Sequence, residues 1–406
     1  MTGSNHKKAQ LVGFGRRTRT AIVLVALVLL TPAIAGFFSN HKARQNWEKR
    51  ELANLPRITD ARSSKAFFTG LEAFIDDHIG FATPLNKGYR QFQFYVFGDS
   101  PVANVDVGDA GFVFLNSHNV EHPHSAISSL CTPNARQIEK TRAAMTALAS
   151  VARSYGATMT FAIVPSKPLL YPERLPATVP ETLRKACLSL KPAQSAAGQL
   201  KLAARSADID DEGYRVFFPF GALYAMRDQP AFYPPGNFHA SSMINHEFAA
   251  GLLDLMDIEP GAAFARSGRL KMIRADLNMM GFNRRVQAWT YPYADYAVVF
   301  KHREPAWVKR YYSKARDFGQ FEAAHPASQR SALLLSNSFG HYMAPHLAIG
   351  FRSLRHINVN ALDASEAVSF LRQVLEKVQP DDVIYLIHDG GIPNTQLEML
   401  AEAASE

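Results

Sequence analysis

Short apolar runs of strand length alternate with stretches of helical apolar spacing through most of this chain, and few folds can bury both. Apolar residues recur at helical spacing from Gln137 to Ser154, and Thr158 to Val164 then reads as a buried strand closed by Pro165. The alternation returns with a strand at Arg215 to Phe218, a helix at Ser241 to Met256, a strand at Ser331 to Leu335 and a helix near Met343 to Leu347. It ends with a strand at His356 to Val359, a helix at Ala364 to Val378 and a strand at Asp382 to Ile387. Such strands, apolar along their whole length and spaced by helices, predict an α/β fold: three layers around a mainly parallel sheet.

Ahead of this lies a different signal. Residues Ala21 to Phe38 form an apolar run of 18 residues, interrupted only by Thr31, Pro32 and Gly36. Lys7, Lys8, Arg16, Arg17 and Arg19 precede it, and no acid occurs before Glu48. Cations on that side hold the N-terminus in the cytoplasm and place the body of the chain outside. The run reads as a signal anchor, with a cleavable signal as the rival because Ala33-Ile34-Ala35 offers a small-x-small site. The five cations account for most of the net charge of +8, leaving 8 − 5 = +3, too little to suggest nucleic acid as a partner. Cys131 and Cys187 are the two cysteines; outside the cytoplasm they form one disulfide or remain as two buried thiols. Their surroundings suggest no metal site, and no cofactor is expected.

The expected organisation is a basic cytoplasmic segment (1–20), the anchor (21–38), a tether with a lead-in helix and hairpin (39–125), and the α/β domain (126–400). The lead-in helical pattern runs from Lys65 to Val96, the hairpin signal from Gly108 to Leu115, and a surface loop follows to about Pro133. Pro260 to His325, with Trp289 and Trp307, reads as a long insertion whose aromatics line a sugar-binding groove or fill core.

The strand residues Leu333-Leu334-Leu335 run directly into Ser336-Asn337-Ser338-Phe339-Gly340, a small-polar turn where α/β hydrolytic folds expose a nucleophile. Ser338 is the candidate nucleophile, its own N–H and that of Phe339 the candidate oxyanion donors; the plainer reading makes these serines helix caps. The base candidate is His239, in the turn-rich Tyr233-Pro234-Pro235-Gly236-Asn237-Phe238-His239, with Asn237 placed to orient its ring. Lys167, Tyr233 and Asn337 are the candidate binding residues, Lys167 for an anionic sugar or the oxyanion. Gly98-Asp99-Ser100 spells an esterase motif, but no Asp-x-x-His stands near the C-terminus and no strand frames it, so it reads as a turn.

In this order the motifs resemble the alginate O-acetyltransferase (AlgJ/AlgX-like) family with its SGNH-hydrolase-like domain. Glu48-Lys49-Arg50 is similar to the family's Glu-Asn-Arg, Gly108-Asp109-Ala110-Gly111-Phe112-Val113-Phe114 to its Gly-x-x-Gly-Trp-Leu-Phe, and Val164-Pro165-Ser166-Lys167 to its Pro-x-Lys strand end. Ala275-Asp276-Leu277 resembles its Gly-Asp-Leu. Two departures stand out: Asn237-Phe238-His239 replaces Asp-x-His, and Ser336-Asn337-Ser338-Phe339 replaces Gly-Asp-Ser-Phe, so both acids have become amides. His388-Asp389 is a possible substitute acid, though a plain turn before Gly390-Gly391 is the simpler reading.

The resemblance implies acetyl transfer through a serine acyl-enzyme to an extracytoplasmic polysaccharide. It further implies a donor supplied by a multi-pass membrane acyltransferase, and an inner-membrane, single-pass protein with its catalytic domain in the periplasm. The loss of both acids keeps open a weakened or inactive homologue that binds polysaccharide or scaffolds a synthesis complex. An acetyl esterase is the third reading.

Overall fold

The structure, a computed structural model, describes residues 16–48, 51–57, 63–102, 104–117, 122–206, 213–259, 264, 268–276, 285–291, 298–301, 308 and 318–405. It divides into two compact units, Met1–Phe97 and Gly98–Glu406, a boundary that falls before the expected 125/126 division. The hairpin assigned to the tether belongs instead with the second unit, where Val113 N donates to Pro235 O.

The first unit is helical: Arg16–Phe37, His41–Glu48, Ser64–His78 and Ala82–Phe92. The apolar run lies almost wholly in the first helix, with Pro32 inside it. Among the described residues no helix is long and apolar enough to cross a membrane; the side chains at 28, 29, 33 and 37, within the run, lie outside them. The single lead-in helix expected from Lys65 to Val96 is broken at Ile79, where the backbone turns extended, and at Phe81, which takes φ 65°. The break has a steric cause. A Cβ at Gly80 would collide with Ala35 and Gly36, and Gly80 N donates to Pro32 O at 2.6 Å, so the turn is pressed against the first helix.

In the second unit the strands are β1 (Val105–Val107), β2 (Val113–Leu115), β3 (Thr158–Val164), β4 (Tyr214–Phe217), β5 (Arg269–Arg274), β6 (Arg285–Thr290), β7 (Val298–Lys301), β8 (Phe318–Ala323), β9 (Ser328–Ser336), β10 (Phe351–Asn358) and β11 (Asp382–His388). Seven of them form one sheet in the order β4-β3-β11-β9-β10-β8-β7. The pairs from β4 to β10 are parallel, as expected; β8 and β7 add an antiparallel edge. That edge comes from the stretch read as an insertion, which also supplies the separate β5–β6 hairpin; Trp307 lies outside the described residues.

Alternation along each central strand builds two cores. Leu333, Leu335, Val383, Tyr385, Ile387, Phe161 and Ile163 face one side, under the Ala135–Ser154, Ala364–Val378 and Thr395–Ser405 helices. Ala332, Leu334, Ile384, Leu386, Ala162 and Val164 face the other, under Met243–Leu255 and Phe339–Leu347. Leu333, Leu334 and Leu335 are all fully buried, each contributing roughly 1.5–3 kcal/mol. The result is a mixed α/β, three-layer architecture whose parallel strands all end on one edge, bringing Val164, Ser336 and His388 together.

The expected surface loop before Pro133 contains a short helix, Ser125–Cys131, and Cys131 is bonded to Cys187 with 4.8 Å between Cα atoms. The disulfide ties this helix to the Glu181–Ser189 helix, and Ser129 Oγ, donating to Gly390 O at 3.0 Å, ties it to the end of β11. Cross-linking residues 56 apart stabilises by about 4 kcal/mol in the chain-entropy picture. Replacing both cysteines by alanine should lower the urea midpoint accordingly; an unchanged midpoint would show the bond to be structurally idle.

Candidate active site

Strand β9 is bonded on both sides, so polar side chains can emerge only where it stops. At its end Asn337 N donates to Leu386 O at 3.3 Å, and Ser338 caps the Phe339–Leu347 helix without a side-chain capping bond. Its hydroxyl is therefore not spent on the helix, which removes the plain capping reading. The turn is braced from behind: Ser336 Oγ donates to Asn337 O at 2.8 Å and lies 2.7 Å from His356 Nε2. A Cβ at Gly340 would strike both groups, so the brace requires glycine there.

His239 reaches this turn from across the carboxyl edge. Its Nε2 lies 2.9 Å from Ser338 Oγ, and its Nδ1 lies 3.0 Å from Asp276 Oδ2. Asp276 is delivered by the residue pair that follows β5, and the same Oδ2 also accepts the His239 backbone N–H at 2.8 Å. Its Oδ1 accepts from Tyr342 OH at 3.2 Å. Asp276 is 5% exposed, and burial alone would raise its pKa; the bonds from His239 and Tyr342 outweigh that and lower it. An ionised Asp276 assigns the ring proton to Nδ1, which leaves Nε2 as the acceptor for the Ser338 hydroxyl. Serine, imidazole and carboxylate thus stand in one line, the arrangement that transfers a proton off a serine as it attacks.

Asn237 makes no hydrogen bond to the imidazole; it holds the acid. Its Oδ1 accepts from Asp276 N at 2.9 Å and its Nδ2 donates to Ser241 Oγ at 3.0 Å, in a side chain 1% exposed. The orienting role expected of Asn237 therefore passes to Asp276, with a physical reason for the amide. A carboxylate at 237 would put a second negative charge against the backbone of Asp276 in a buried site, where like charges repel strongly. Asp276 was visible in the sequence only as part of Ala275-Asp276-Leu277, without a role; its distance of 37 residues from His239 carries no local signal.

The candidate binding residues are internal supports. Lys167 is 1% exposed, its Nζ donating to Pro234 O and Pro235 O at 2.7 Å each and lying 4.8 Å from the Tyr233 ring centroid. It fastens the loop that carries His239, and burial pushes its pKa well down. Tyr233, also buried, donates to Phe238 O at 2.6 Å within the same loop, and burial drives its phenol pKa well up. Asn337 Oδ1 accepts from Phe339 N at 3.0 Å, so that N–H is occupied and Ser338 N–H is the oxyanion donor left of the two expected. Asp389 is no substitute acid: it binds Ser166 N through both oxygens at 3.0 and 3.1 Å and Gly390 N at 2.8 Å, tying the ends of β3 and β11. His388 stacks on Phe339 with centroids 4.8 Å apart. Ser100 bonds only to its own turn, at Val102 O and Val102 N. Among the described residues no group of three metal-ligating side chains gathers.

No family model matches the sequence, and none of the curated proteins does. Solved structures give distant likenesses. Bacillus cereus PatB1 carrying a sulfonyl adduct shares 12% identity over 73% of this chain and 99% of its own, with a TM-score of 0.47. The O-acetyltransferase domain of Pseudomonas putida AlgJ shares 12% over 72% of this chain and 93% of its own, with a TM-score of 0.43. Pseudomonas aeruginosa AlgX shares 11% over 79% and 70%, with a TM-score of 0.38.

Two outcomes follow from the geometry. The Asp276→Asn variant should lose about 10⁴-fold in Ser338 reactivity toward a serine-directed electrophile, because an amide favours the wrong imidazole tautomer. Asn237→Asp should lose reactivity as well; a gain would mean that the acid belongs at 237 and that Asp276 is incidental. Separately, burial raises the Asp389 pKa from 3.8 to about 6. Its contribution to stability is fully present below the unfolded value and lost as pH rises through about 6, by roughly 3 kcal/mol. Denaturant midpoints of wild type and Asp389→Asn should therefore diverge between pH 4 and 7; parallel curves would show that Asp389 does not titrate in that range.

Proposed function

We propose that this chain is an extracytoplasmic serine O-acyltransferase with an SGNH-hydrolase-like domain, held at the inner membrane by its apolar N-terminal helix. The observation that carries the reading is the unbroken line from Ser338 Oγ to His239 Nε2 at 2.9 Å and from His239 Nδ1 to Asp276 Oδ2 at 3.0 Å. In the first half-reaction Ser338 Oγ attacks the acyl carbonyl while His239 Nε2 takes its proton, and Asp276 stabilises the imidazolium. The Ser338 N–H faces the developing oxyanion, and the imidazolium then protonates the departing group. In the second, His239 accepts a proton from the acceptor hydroxyl as that oxygen attacks the acyl-serine, and Ser338 leaves with the proton back on Oγ.

Acetyl as the acyl group, a polysaccharide as acceptor and a multi-pass membrane acyltransferase as donor partner come from the motif resemblance. The inactive-homologue reading rests on the loss of both motif acids; Asp276 at His239 Nδ1 weighs against it at Asn237, while Asn337 still stands in place of the second acid. Transfer to water, an esterase activity, uses the same residues and differs only in the acceptor. The anchor reading is supported by the cations before the run and by the exposure of Ile22, Val23, Leu24, Val25, Leu27, Leu30 and Ile34 along the first helix.

Treatment with a sulfonyl fluoride should modify Ser338, as read by mass spectrometry of its peptide, and the adduct should vanish in His239→Ala. A folded protein without an adduct would instead favour a polysaccharide-binding scaffold.

A further inference from the structure

Most of the exposed large apolar side chains among the described residues lie in the first unit, and eight of those outside its first helix fall in an ordered pattern. Leu85, Tyr89, Phe92 and Val96 are spaced four, three and four apart along the Ala82–Phe92 helix and the π-helical turn that continues it, making one stripe. Phe68 and Ile75 lie seven apart on the Ser64–His78 helix, and Ile79 and Phe81 project from the turn between the two. Exposed apolar groups in such a pattern are meant to be covered.

The contact between that turn and the first helix says by what. Gly80 N donates to Pro32 O at 2.6 Å, and Gly36 and Gly80 lack the side chains that would separate the two backbones. Pro32 to Gly36 stands two to six residues before the end of the apolar run at Phe38, which at 1.5 Å per residue is about 3–9 Å inside it. If the first helix crosses the bilayer, as the anchor reading holds, the turn is pinned at the depth where in-plane amphipathic helices rest, about 5–10 Å into the boundary of headgroups and acyl chains. The residues there suit that zone. Ile79 and Phe81 share a cavity of about 230 Å³ with Arg44, Lys87 and Asp77, and the stripe beside them carries Tyr89 and Phe92.

We infer that the Ser64–His78 and Ala82–Phe92 helices form an interfacial platform that lies in the outer surface of the membrane, its Leu85–Tyr89–Phe92–Val96 stripe against lipid. The inference rests on the anchor reading and adds a second, in-plane membrane contact to it. Held this way, the first unit is attached to the lipid surface as well as tethered through it.

The test uses the full chain in phospholipid nanodiscs with a nitroxide at a single introduced cysteine, Cys131 and Cys187 being bonded to each other. Leu24→Cys reports on the anchor, Leu85→Cys, Tyr89→Cys and Phe92→Cys on the stripe, and Gln91→Cys on the neighbouring exposed surface. The expected result is oxygen access with exclusion of a water-soluble nickel chelate at 24, 85, 89 and 92, and the reverse at 91. Lipid contact at 24 with nickel access along the stripe would overturn the platform while leaving the anchor standing. Loss of access to both reagents along the stripe would also overturn it, replacing lipid by a protein partner or a second copy. Nickel access at 24 would sink the anchor itself and the platform with it.

Discussion

A carboxylate taken almost wholly out of water is costly unless hydrogen-bonded partners replace the water, and the site is built around supplying them to Asp276. Its Oδ2 takes the backbone N–H and the ring Nδ1 of His239, its Oδ1 takes the Tyr342 hydroxyl, and its own backbone N–H is held by Asn237. Each of these bonds also sets the position of something else. The His239 loop is located by its backbone bond, the imidazole by its ring bond, and the helix after Ser338 by Tyr342. Because an ionised group this deeply buried is costly unless paired, the acid specifies the geometry of its neighbours as much as they specify it.

The sheet supplies the rigidity that such pairing needs. β9 lies between β11 and β10, bonded to both, with leucines buried on each face. Ser338 therefore emerges from the end of a strand held on both sides, and the Ser336, His356 and Gly340 cluster leaves the turn no room to relax. Opposite it the His239 loop has no regular structure of its own, so it is fastened by other means. Lys167, Tyr233 and the β1–β2 hairpin bond its carbonyls. A buried ammonium without a carboxylate in contact is unusual; here two carbonyl oxygens and two aromatic faces replace water around it.

Much of this was legible in the chain. The parallel strands and the helices between them followed from apolar runs and periodicity, because burial on both faces leaves a mark in every residue. Ser338 and His239 were named as candidates from a strand ending in a small-polar turn, a proline-rich loop before a helix and the order of the motifs. The helix break at Ile79–Phe81 was not legible, since Gly80 is required by a neighbour 45 residues earlier rather than by its own segment. The same holds for the roles of Lys167 and Tyr233. A lysine three residues beyond a strand reads as a ligand-facing charge, and only the approach of the 233–239 loop turns it into a support.

By itself, then, the sequence determined the α/β class and named an anchor candidate, a candidate nucleophile and a candidate base, all of which depend on residue type and on order within a few turns of chain. It offered two amides where acids were expected and left open whether the site was complete. Only the tertiary structure brought Asp276, from the segment after β5, to His239 and set Asn237 against the Asp276 backbone. The physical reason is that a charge relay is defined by distances of about 3 Å between groups whose separations along the chain, 37 residues from base to acid and 99 from base to nucleophile, are unrelated to their separations in space.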